Sequence, residues 1–146
     1  MAMQWTEQLS IGNEILDSDH KELIELARCI ECSINALEHS ALARDFKLLK
    51  MCMNRHFLNE ELFADNLNIP FAEHDLEHKN ILTAVDLIRR EIGKNSEENV
   101  FTMESCNQFL QNWLIKHLNE SDLLMKPILQ TRPYTFKVEG VFAERT

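Results

Sequence analysis

The stretch FKLLKMCMNRHFLNEELF, Phe46 to Phe63, places Phe46, Leu49, Met53, His56, Glu60 and Phe63 at alternating steps of three and four. That rhythm marks the inward face of a helix packed in a bundle. Three other stretches keep it: His20, Leu23, Ala27, Ile30, Ile34 and Leu37; Phe71, His74, His78, Ile81, Val85, Ile88 and Ile92; and Met103, Cys106, Leu110, Trp113 and His117. Helices are expected at about 18 to 38, 41 to 65, 70 to 92 and 97 to 129, with ends uncertain by about two to four residues. Asp17 or Ser18 is expected to cap the first, Pro70 to lie in the opening turn of the third, Gly93 to follow it, and Asn95 or Ser96 to cap the fourth. Short connections make neighbours antiparallel, so the expected fold is all-α, an up-down-up-down four-helix bundle.

The rest of the composition agrees. A chain of 146 residues, 45% hydrophobic and with only 3 Gly and 3 Pro, suits one helical domain. A net charge of -9 opposes nucleic acid and anionic membrane surfaces as partners. No apolar run approaches the ~20 residues that span a bilayer, and Met1 to Ser10 lacks a basic region followed by an apolar one, so a cytoplasmic protein is expected. Cys29, Cys32, Cys52 and Cys106 fall within helical patterns and are expected to be reduced thiols, with Cys29 and Cys32 simply packing or exposed. Met1 to Leu16 reads as an N-terminal arm across the helices. Thr131 to Thr146, with Tyr134, Phe136 and Val138 alternating, reads as a non-helical C-terminal extension to a domain of residues 1 to 130. It is expected to set one apolar face against the bundle or against a second subunit or protein partner.

The stripes also hold residues that a core should reject. Of the chain's 6 histidines, His20, His56, His74, His78 and His117 sit on the seams, and His39 falls in a turn. Burying imidazoles and a carboxylate without partners costs several kcal/mol each, against a total stability of about 5 to 15 kcal/mol. His56 and Glu60 are four apart, as are His74 and His78, so each pair projects from one helix face. A metal centre inside the bundle accounts for both the residue types and their placement. The ligands outnumber the four of a structural zinc site, which implies two ions; mixed imidazole and carboxylate ligation suits iron, with manganese or zinc also chemically allowed. A second bridging carboxylate should lie near His117. Glu120 is in phase with the stripe, whereas Asp122 lies about 140° away on a regular helix.

The pattern His20, His56-x3-Glu60, His74-x3-His78, His117-x4-Asp122 resembles the hemerythrins, in particular the bacterial ones. Trp5, Ile11-Gly12, Asp17-x-x-His20-Lys21 and Trp113-Leu114 support the resemblance, which runs from Trp5 to about Leu129. It implies two non-haem iron ions (Fe2+/Fe3+) with an oxo or hydroxo bridge. His74, His78 and His117 would hold one, His20 and His56 the other, and Glu60 and Asp122 would bridge them. The family spacing thus favours Asp122 over Glu120. It also implies that dioxygen binds at the iron with fewer histidines, beneath the apolar Leu114. The implied role is oxygen storage, delivery or buffering rather than enzymatic catalysis; the alternatives are an oxygen or redox sensor acting through a partner, and a diiron redox enzyme acting on peroxide or nitric oxide. Met125 departs from the family, which commonly has a tyrosine there. Because Asp122 must reach the same ions as His117, residues 120 to 123 are expected to leave regular α-helix.

Overall fold

The computed structural model describes residues 4–93 and 99–142. Its main helices are α1, Glu14–Asn35; α2, His39–Leu67; α3, Ala72–Gly93; and α4, Asn99–Lys116. A final helical turn, α5, spans Lys126–Leu129, and a 3-10 turn, Glu7–Leu9, lies in the N-terminal arm. The described residues contain no strand. Helix α1 packs on α2 and α4, α2 packs on α3, and a thinner seam between α3 and α4 closes the ring. This is the expected four-helix bundle. No helix of the described residues is long and apolar enough to cross a membrane. All four cysteines are free thiols.

The helix starts differ from expectation in an informative way. Helix α1 begins four residues before Ser18, capped by Asn13, whose Oδ1 accepts from the amides of Ile15 and Leu16 at 3.0 and 3.3 Å. Asp17 is therefore not the cap. Its carboxylate instead accepts from Ser10 Oγ at 2.5 Å, the Ile11 amide at 2.9 Å and Tyr134 Oη at 2.9 Å, which ties both termini to the bundle. Ile15 and Leu16 are buried, so the inward stripe continues into the stretch read as arm. Pro70 precedes α3 rather than entering it, because the Phe71 carbonyl takes the first helical amide, that of Asp75. Asn95 and Ser96, candidate caps of α4, lie outside the described residues, as does the side chain of His39.

The fourth helix is not continuous to residue 129. After Lys116 the backbone widens into a π-helical turn, His117–Ser121, and then tightens into a 3-10 turn, Asp122–Met125. The Asp122 amide donates to the His117 carbonyl five residues back. The expected departure from α-helix is thus present, and it begins at His117 itself.

Two apolar clusters sandwich a polar layer. The larger includes Leu23, Ile30, Phe46, Met53, Val85 and Leu110; the smaller comprises Ile11, Ile15, Leu16, Phe63, Met125, Leu129 and Val138. Along α1, His20 falls between Leu16 of one and Leu23 of the other; along α2, His56 and Glu60 fall between Met53 and Phe63. Gly12 has φ +87° and lies against Gln130, where a Cβ would stand 2.9 Å from its Cγ, so a side chain there would force the arm away from α5.

Among the described residues of the tail, which reach 142, none is in regular secondary structure, and they fold back over the smaller cluster. Glu14 N donates to the Tyr134 carbonyl at 2.9 Å, and Asn13 Nδ2 to the Phe136 carbonyl at 2.8 Å. Val138 is buried and the Phe136 ring lies 6.1 Å from that of Phe63, but Tyr134 is half exposed. The alternation therefore seats Phe136 and Val138 on the bundle and gives Tyr134 a polar role at Asp17.

Candidate metal centre

All seven candidate ligands converge in the polar layer. His20, His56, Glu60, His117 and Asp122 are wholly buried, and His74 and His78 nearly so. Each helix supplies its part through local geometry: α1 brings His20, α2 brings His56 and Glu60 one turn apart, and α3 brings His74 and His78 in the same way. His117 opens the π-helical turn, whose extra residue swings Asp122 back onto the side His117 occupies. The side chain of Glu120, favoured by periodicity, lies outside the described residues.

The two carboxylates face in two directions. Glu60 turns Oε1 toward His56, His20 and His117, the last at 3.5 Å, and Oε2 toward His74 and His78 at 3.0 and 3.3 Å. Asp122 turns Oδ2 toward His20 and toward His117 at 2.9 Å, and Oδ1 toward His74 at 2.9 Å. Two overlapping donor groups result: His20, His56, Glu60, His117 and Asp122, and His74, His78, His117 and Asp122. Within each, the ligand atoms lie within 4.8 Å of one another.

This donor set fits metal better than it fits itself. Glu60 Oε1 and Oε2, His78 Nε2, His117 Nε2 and Asp122 Oδ2 are buried without a hydrogen bond of acceptable geometry, although imidazole nitrogens stand nearby. Buried polar atoms are almost always satisfied, and here one layer concentrates the exceptions. The charges show how the layer balances itself without metal. Burial pushes the His56, His74 and His117 imidazoles down, but Glu60 and Asp122 outweigh it and hold His56 and His74 up to about 10 and His117 up to about 9. Burial would raise both carboxyls, yet the surrounding histidines hold Glu60 and Asp122 well below the ordinary range. His78 is the exception, lowered chiefly by burial. Without metal the layer is thus a proton-filled cage of anions and imidazoles.

The model of the hemerythrin HHE cation-binding domain matches residues 11–129. The chain belongs to the hemerythrin family. The chain is similar to the bacteriohemerythrin of Campylobacter jejuni, 27% identical over 119 residues covering 78% of this chain and 85% of the relative. That of Pseudomonas aeruginosa is 24% identical over 119 residues, covering 81% and 75%. A crystal structure of wild-type hemerythrin superposes with a TM-score of 0.77 at 20% identity, covering 89% of this chain and 99% of the other, and so supports the fold. The tail lies beyond the family match.

Sequence reading missed the polar residues behind His56. Asp19 Oδ2 lies 3.0 Å from His56 Nδ1, and Asn59 Nδ2 donates to the same oxygen at 3.0 Å. Phe57 stacks on His78 at 3.7 Å between ring centres, Phe71 on His74 at 5.1 Å and Trp113 on His117 at 4.7 Å. The only signal for Asp19 and Asn59 was adjacency to candidate ligands in sequence or one turn away, whereas Phe71 and Trp113 already lay on the inward stripes.

Proposed function

We propose that the polar layer holds two iron ions and that the protein binds dioxygen reversibly, for storage, delivery or buffering. The observation that carries this reading is the split of each carboxylate, one oxygen toward His20 and His56 and the other toward the α3 histidines, the arrangement a bridging ligand between two ions requires. His20 and His56 would serve one ion, His74, His78 and His117 the other, with Glu60 and Asp122 spanning both. His117 also faces the Glu60 and Asp122 oxygens on the His20 side, so its membership of the second set rests on the family pattern. A ferrous pair would supply the two electrons that dioxygen accepts on binding and returns on release.

The protein's own contribution is enclosure. Leu114, Leu118 and Met125 are buried beside the layer and keep water from it. Leu114 is the apolar side chain we assign to the oxygen pocket. Glu60 and Asp122 would offset two of the four positive charges of a ferrous pair, which limits the charge that the dry core has to carry. Avoiding new charge in a dry core favours release over onward chemistry. The absence of repeated Glu-x-x-His motifs, typical of oxygen-activating bundles, points the same way.

The test is anaerobic reconstitution with ferrous iron, followed by cycles of air and inert gas. Two irons per chain and an absorption change that reverses with each cycle are the expected result. Irreversible oxidation, or continuous consumption of peroxide or nitric oxide, would replace the carrier reading with an enzymatic one.

A further inference from the structure

One chain of hydrogen bonds connects the polar layer to the C-terminal tail. Asn59 is wholly buried on α2, between His56 and the smaller apolar cluster. Its Nδ2 donates to Asp19 Oδ2 at 3.0 Å and to the Phe142 carbonyl at 3.2 Å, while its Oδ1 accepts from the Phe142 amide at 2.8 Å. The same Asp19 oxygen faces His56 Nδ1 at 3.0 Å. The path thus runs from tail backbone to Asn59, to Asp19, to an imidazole whose other nitrogen points at Glu60. A primary amide suits the junction because it offers two donors and an acceptor, which a carboxylate or a hydroxyl cannot.

The tail is held well enough to act on that junction. Tyr134 bonds Asp17, Phe136 bonds Asn13 and packs near Phe63, and Val138 is buried. Gly140, at φ +92°, turns the chain beside Leu62 toward Asn59. These residues lie beyond the matched family domain, which ends at 129.

We propose that Asn59 is a positioning residue for His56, and that the tail segment 134–142 is a strap that holds this imidazole in its metal-binding orientation by bonding Asn59. Asp19 accepting from Nδ1–H leaves Nε2 as the free lone pair, which fixes tautomer and ring direction together. Asn59 fixes Asp19, and the Phe142 peptide fixes Asn59. The inference rests on the layer being a metal site, and its consequence is that the tail tunes one ion of the pair rather than both.

The test uses the full chain with Asn59→Leu, Phe142→Pro, which deletes the donated amide, and Phe142→Ala, which keeps it. Iron-loaded protein is challenged with a ferrous chelator, and the two ions are followed as separate phases of release. Asn59→Leu should speed one phase by about tenfold, the lower end of what loss of a residue behind a ligand costs. Phe142→Pro should speed the same phase, and Phe142→Ala neither. A second readout needs no iron: exchange of the His56 Nδ1 proton, followed by NMR in metal-free protein, should quicken in Asn59→Leu and Phe142→Pro only. Equal behaviour of the two Phe142 variants in that exchange, or acceleration of both release phases together with a lowered melting temperature, would overturn the proposal. If the unmodified chain takes up no iron, the metal reading fails while the proton exchange still decides the strap.

Discussion

His56 and His78 both aim Nε2 at Glu60, one from α2 and one from α3, yet their rings are held by different means. His56 is wholly buried and backed by Asp19 and Asn59 through hydrogen bonds. His78 lies flat on Phe57, with ring planes 4° apart, and its neighbour His74 lies flat on Phe71 at 7°. A hydrogen bond at Nδ1 chooses the tautomer and the direction of the lone pair. A stacked ring fixes only the plane and excludes water. The α3 half also stands nearer solvent: the His74 and His78 side chains keep 9% and 3% of their surface exposed, whereas those of His20 and His56 keep none. One site therefore combines an imidazole fixed in direction, His56, with imidazoles fixed in plane, His74 and His78, and the shared carboxylates join them.

Glu60 serves both halves, so removing it should have the largest effect. In Glu60→Leu both ions are expected to be lost, and the metal-free bundle to be destabilised by about 3 to 5 kcal/mol, the cost of stripping the partner from a buried charge. Elemental analysis and urea unfolding measure the two outcomes; retention of one ion would mean that the halves are more independent than the geometry implies. Asp19→Asn should separate them next. Iron release from the His56 side should quicken about 10- to 100-fold, while the α3 side holds.

The third expectation concerns pH in the metal-free protein. His56 and His74 at about 10, and His117 at about 9, lie above their ordinary 6.5, so their stabilisation is complete below about 6.5 and is lost as pH rises through 9 to 10. Glu60 and Asp122, held low, contribute above their ordinary values of 4.5 and 3.8 and lose that contribution in acid. The melting temperature of metal-free protein should therefore fall between pH 6.5 and 10. Metal uptake should instead strengthen with pH and release protons, because bound imidazoles must be neutral. Calorimetry on both forms checks the opposed slopes, and parallel curves would remove the proton-filled cage. The smallest effect should come from Phe71→Leu. Losing that stack should cost about 1 kcal/mol on unfolding, with the chelator phases little changed.

Much of this contrast was visible in advance only on the ligand side. The alternation of three and four placed the seam histidines because helical periodicity is local and survives any packing. Asp17 shows where such reading stops: a polar residue ahead of an apolar stripe resembles a cap, but the stripe ran on to Ile15 and Asn13 took the role. Asp19 and Asn59 sit beside ligands, off the stripes, at positions that look like solvated helix flanks. Their burial comes from the tail and from each other.

The sequence by itself therefore determined four amphipathic helices and a set of buried imidazoles and carboxylates needing compensation, since spacing and burial cost are properties of the local chain. Periodicity chose Glu120 and family spacing chose Asp122; the widened backbone at His117–Ser121 is how Asp122 reaches the layer. The widening was expected at 120 to 123; only the tertiary structure decided that it starts at His117, which imidazole each carboxylate oxygen faces, and the tail's path to Asn59. Each depends on where a distant segment stands, and a hydrogen bond between residues 83 apart in sequence leaves no periodic trace in either of them.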